Sequence, residues 1–257
     1  MKPIRLTLIA ALCLSSANAF ADEAETDAPK AMGPEYCFPA AGIQETLAKF
    51  DSLKDKKRDT VGPEIAISLE MEEGENPPER IEIRDEAGVM PVTFDDYHRT
   101  HNLTDQLRDA SLAAELCVVD PDRAGRLPTE RGYAFNVGMG VRFKRTNGTH
   151  MMAEIEDGLK DGRSHYKKMV GAMGFMVPKF DHVAISGRDD ANPPRVWATA
   201  DGADLGEPAF ELYDGARMIH IDTLEDMGAD GLRIEGDYYR MSPSPDAKTV
   251  ARFAGGD

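Results

Sequence analysis

Between Tyr133 and Phe143 every second residue is apolar, and the alternation runs unbroken through Phe135, Val137, Met139 and Val141. A period of two over that length demands a strand with one face turned to a core. The other face carries Ala134, Asn136, Gly138, Gly140 and Arg142, small enough in places for a bulge, another backbone or a ligand. So regular a strand raises the question of an outer-membrane barrel, where such alternation recurs about every 20 residues between aromatic girdles. Here it occurs once at this strength, and aromatic residues make up 7% of the chain. The chain is not read as a barrel.

Shorter strands surround it. Glu64 to Glu72 and Arg80 to Arg84 alternate apolar and charged residues, and Asp85-Glu86-Ala87-Gly88 turns into a third strand, Val89 to Phe94. Leu116 to Val119 reads as a strand ended by Asp120-Pro121, and further strands are expected at 180–185, 195–198, 209–213, 218–221 and 232–234. Helical spacing of Ile43, Leu47 and Phe50 predicts a helix over 41–57, and Leu103, Leu107 and Ala110 predict another, capped by Thr104. From Thr149 to Met173 the pattern is helical, in two pieces divided near Gly162. The fold class expected is therefore α+β and β-rich, with antiparallel sheets and a few short helices. One large domain and two small ones both fit the length. We favour two β-rich subdomains, 35–146 and 147–242, with a loose Pro- and Ser-rich tail over 243–257.

The N-terminus reads as a secretory signal over residues 1–21. Lys2 and Arg5 precede the apolar run Leu6–Leu14, and Ala19-Phe20-Ala21 supplies a small-x-small cleavage site. The run is far short of the roughly 20 residues that span a bilayer, and Leu12 before Cys13 is wrong for a lipoprotein. Residues 22–34 read as a flexible acidic lead-in. The expected location is periplasmic or secreted, with no transmembrane segment. The full chain carries a formal charge of -16, and the signal holds two cations and no acid, so the mature chain stands at -18. Such a charge repels nucleic-acid phosphates, so no nucleic-acid partner is expected. Cys37 and Cys117 are the two cysteines left after cleavage, and an oxidising compartment favours their pairing.

Two polar constellations are candidate metal ligands. Asp95, Asp96, His98 and His101 place two carboxylates and two imidazoles within seven residues, a donor set suited to zinc, but without the spacing or general base of HExxH. His165, Met169, Met173 and Met176 recur at helical steps, and imidazole and thioether donors suit Cu(I). The same spacing is also that of a buried helix face, and we read it so. The acidic turns at Asp120–Gly125 and Asp157–Gly162 lack the remaining calcium ligands. Ser164-His-Tyr-Lys167 matches SxxK by letter only, and no GxSxG, Walker loop or GxGxxG is present. No cofactor is expected.

These observations support an exported, soluble, non-catalytic binding or accessory protein of the bacterial envelope, its partner an unidentified protein, glycan or lipid. The alternatives are a metal-dependent hydrolase built on Asp95, Asp96, His98 and His101, and a periplasmic copper carrier using the Met/His stripe. Enzymatic activity is left open, with the balance against it.

Overall fold

The computed structural model describes residues 33–54, 58–94, 100, 103–127, 130–145, 148–187, 193–236 and 238–253. Its sheets are antiparallel and its helices short, a β-rich α+β fold. The chain divides into two compact units. In the described residues the N-terminal unit comprises 33–48 and Ile65–Met139, and the C-terminal unit comprises Lys49–Glu64 and everything from Gly140. Three elements pass from one unit to the other: the helix α1 (Ala41–Asp51) and the paired strands β2 (Val61–Met71) and β6 (Tyr133–Phe143).

In the N-terminal unit, strands β1 (Glu35–Pro39), β3 (Arg80–Asp85), β4 (Gly88–Pro91) and β5 (Glu115–Val119) form one sheet in the order β1-β5-β3-β4. Cys37 and Cys117 face each other in the β1–β5 register and are joined as a disulfide. The Asp85 carboxylate accepts the N–H groups of Ala87 and Gly88, so the expected turn between β3 and β4 forms around it. α2 spans Leu103–Asp109 and buries Leu103 and Leu107. Thr104 lies inside this helix and not at its cap, and its hydroxyl accepts the N–H of Ile65 at 2.8 Å. The far end of α2 is closed by Gln44, whose amide donates to the carbonyls of Leu107, Ala110 and Ser111.

Directly after β5, the Asp120 turn is held by charge. A 3-10 turn over Pro121–Arg123 brings the buried Arg123 guanidinium to Asp120 at 3.1 Å and to Glu75 at 3.0 Å. The Tyr133 hydroxyl donates to the same Asp120 carboxylate at 3.1 Å. Burial raises the Tyr133 pKa, with Tyr36 and Asp120 acting in the same direction. The carboxylate that suggested a calcium loop is thus already spent on protein partners.

The C-terminal unit holds two sheets. Strands β7 (Gly148–Met151), β9 (Arg195–Ala200), β10 (Ala203–Gly206) and β13 (Gly231–Glu235) form one, in the order β10-β9-β13-β7. Strands β8 (His182–Gly187), β11 (Glu211–Tyr213), β12 (Ala216–His220) and β14 (Tyr238–Ser244) form the other, in the order β11-β12-β8-β14. The helices α3 (Met152–Met169) and α4 (Ile221–Asp226) contribute Ile155, Leu159, Ile221 and Leu224 to a core shared with Phe143, Val183, Ile185, Val196, Leu232 and Met241.

The break expected near Gly162 is absent, and α3 runs unbroken. Its glycines serve close packing instead. A Cβ on Gly158 would lie 2.1 Å from the Phe143 ring, and one on Gly162 would lie 2.3 Å from Pro243. Gly140 on β6 has the same use, since a Cβ there would meet the Arg240 guanidinium at 2.7 Å. Of the tail expected to be loose over 243–257, the described part, to residue 253, belongs to regular elements. Ser242 and Ser244 are buried in β14, an edge strand where Pro243 is tolerated, and α5 (Ala247–Phe253) buries Val250.

Candidate functional site

The end of the β12–β8–β14 sheet gathers polar groups. His220 on β12 pairs directly with His182 on β8, and His182 pairs on its other side with Ser244 on β14. Directly opposed residues point to the same face of a sheet, so the two imidazoles meet, their centroids 4.6 Å apart and nearly perpendicular. Asp181, immediately before β8, reaches both. Its Oδ1 lies 2.8 Å from His182 Nδ1, and its Oδ2 lies 3.9 Å from His220 Nε2. His220 also begins α4, where its Nδ1 accepts the Asp222 N–H at 3.0 Å in the place of an ordinary Ser or Asp cap. Behind His182, the Asp246 carboxyl is held below its usual pKa by hydrogen bonds from Thr249, with His182 adding to the effect.

Beside this cluster opens a cleft of about 580 Å³, lined by α3, residues 179–181 and α4. Leu159, Phe180 and Ile221 give it an apolar floor, and each is buried. The α3 wall presents Lys160, Arg163 and Lys167 together with Glu156, α4 presents Asp222 and Glu225, and Lys179 and Asp181 line the segment beside them. Arg163 also shapes the cleft, because its guanidinium donates to the carbonyls of Val177 and Pro178 and ties the following segment to α3. Lys160 bridges to Glu156 one turn earlier at 3.3 Å, an exposed pair of small energetic worth.

Of the residues singled out from sequence, Asp95, Asp96, His98 and His101 lie outside the described residues. The Met/His stripe is described, and it does not form one surface. His165 is fully buried against the Phe50 ring, at 5.3 Å between centroids, and Met169 ends α3 half-buried. Beyond it the chain changes to a 3-10 turn over Gly171–Met176, and Met173 and Met176 turn outward at 49% and 57% exposure. The helical period that aligned these four residues therefore ends at the second of them. Asp181, His182 and His220 escaped sequence reading because 38 positions separate the two histidines. Only the β8–β12 register brings them together.

No protein-family model matches this chain, and no curated protein or solved structure matches it either.

Proposed function

We propose that the mature chain is an exported, non-catalytic binding or accessory protein of the cell envelope, and that it holds a segment of a partner protein in the α3–α4 cleft. The observation that carries this reading is the cleft's mixed charge: three cations and the single acid Glu156 along α3, acids on α4, and an apolar floor between them. A peptide carrying both charges around an apolar side chain complements such a groove, and charge matching of this kind sets specificity and register. A glycan fits less well. Sugar sites use exposed aromatic platforms, whereas Phe180 is buried in the floor, and Trp197 lies on β9 with the Arg233 guanidinium 5.9 Å from its ring. Export is supported by the signal-like N-terminus and by the Cys37–Cys117 bridge, which suits an oxidising compartment. Among the described residues no helix is long and apolar enough to cross a membrane.

Panning a library of random short peptides on the mature protein tests the reading. Enriched peptides should carry an acid and a base flanking an apolar residue. Their affinity should fall about tenfold or more in Lys167→Glu and in Glu225→Lys, and should weaken with salt. Absence of enrichment, or peptides that bind both variants as well as the parent, would remove the cleft as the site.

A further inference from the structure

We propose that Asp181, His182 and His220 form a binding site for a divalent transition metal, with zinc the ion that best suits the donors. One carboxylate oxygen and two imidazole nitrogens, one atom from each residue, all lie within 4.8 Å of one another. Zinc bonds of about 2.0–2.1 Å in a tetrahedral arrangement hold such atoms about 3.3 Å apart, so closure needs only small side-chain movements. Two imidazoles and one carboxylate are a zinc or first-row donor set, and they disfavour calcium and magnesium, which take oxygen. The site is held on rigid elements. His182 and His220 are fixed by adjacent strands, and Asp181 accepts at its carbonyl the N–H of Ile221, which ties it to the start of α4. Partial exposure of Asp181 and His220 leaves the ion a route of entry.

The ring nitrogens also define an outer partner. His220 Nδ1 now accepts the Asp222 N–H, which leaves the proton of the neutral ring on Nε2. A metal at Nε2 moves that proton to Nδ1, where the backbone donor no longer suits it. The Asp222 carboxylate, with Oδ1 3.7 Å from Nδ1, is placed to accept it. Asp222 thus becomes a positioning residue of the carboxylate–histidine–metal kind.

The test uses the mature chain, stripped with chelator and titrated with zinc alone by calorimetry. Cobalt(II) absorption serves as a second readout, and calcium as a control. Uptake of one equivalent of zinc, with none of calcium, is expected. His182→Ala should lose that step. So should His220→Asn, which keeps a capping acceptor for α4 and so preserves the fold, as circular dichroism would verify. Asp222→Asn should weaken binding about tenfold, while His98→Ala with His101→Ala should leave it unchanged. The proposal is overturned if folded wild-type protein takes up no zinc, if His220→Asn binds it as tightly, or if only the His98/His101 pair loses it. No peptide is present in this measurement, so its failure would leave the cleft reading intact.

Discussion

His150 shows how much one side chain can reveal about conditions of stability. It is fully buried on β7 next to Phe143, with the Glu154 carboxylate 3.7 Å from Nδ1, beyond hydrogen-bond reach. Burial holds its pKa below the usual 6.5, against the opposing pull of Glu154. The unfolded chain therefore binds this proton more readily than the folded one. His150 thus contributes stability that is complete above about pH 6.5 and is lost as pH falls below that value towards the lowered folded pKa. The loss is bounded by about 1.4 kcal/mol per pH unit. Urea midpoints measured across this range should fall on acidification in the wild type, and His150→Leu should flatten that component. An equal slope in both proteins would assign the acid sensitivity to the carboxylates instead. The exposed Met173 and Met176 give the opposite lesson: their truncation to Ala should shift stability by no more than about 0.5 kcal/mol, the ordinary range for surface positions. A loss above about 2 kcal/mol in thermal unfolding would restore them to the core.

At the scale of the element, the α3 glycines reverse an ordinary rule. Gly→Ala within an exposed helix gains about 1 kcal/mol. Gly162→Ala instead drives a methyl into Pro243, and such overpacking typically costs about 1–3 kcal/mol, readable as a lowered denaturant midpoint. The Asp120–Arg123 turn makes a second prediction. Both groups are nearly fully buried, so Arg123→Ala strands a buried carboxylate and should cost about 3–5 kcal/mol in urea unfolding. Removing Asp120 and Arg123 together should recover part of that loss. These elements also show what the sequence could convey. The strands at 64–72, 80–84 and 133–143 declared themselves through a period of two, and α1 through Ile43, Leu47 and Phe50, though the helix ends at Asp51 and not at 57 as expected. Gly162 was misjudged because propensity sees only the local chain, whereas the reason for that glycine is Pro243, 81 residues away. β14 was hidden by Pro243, which only the strand's place at a sheet edge makes tolerable. The His182–His220 pairing is a matter of register between strands, and no local pattern encodes it.

For the whole molecule, the disulfide is the strongest single constraint on the unfolded chain. It closes a separation of 80 residues within the N-terminal unit, which corresponds to about 4 kcal/mol of loop-closure entropy. Adding reductant should lower the denaturant midpoint accordingly. Hydrogen exchange should accelerate first over 33–48 and 65–139, the two pieces of the unit that holds the bridge. Uniform acceleration through the sheets of the C-terminal unit would show that the two units unfold as one.

The path of the chain between its units has a bearing on synthesis. A ribosome delivers residues in order, and by Met139 it has delivered every piece of the N-terminal unit. Residues 49–64 emerge early, yet they belong with a sequence that begins only at Gly140. This short segment must wait through the emergence of 75 residues before its own partners exist. Nascent chains arrested at successive lengths would therefore resist protease in the N-terminal unit first, while Val61 and its neighbours stay open to cleavage until β14 has left the exit tunnel.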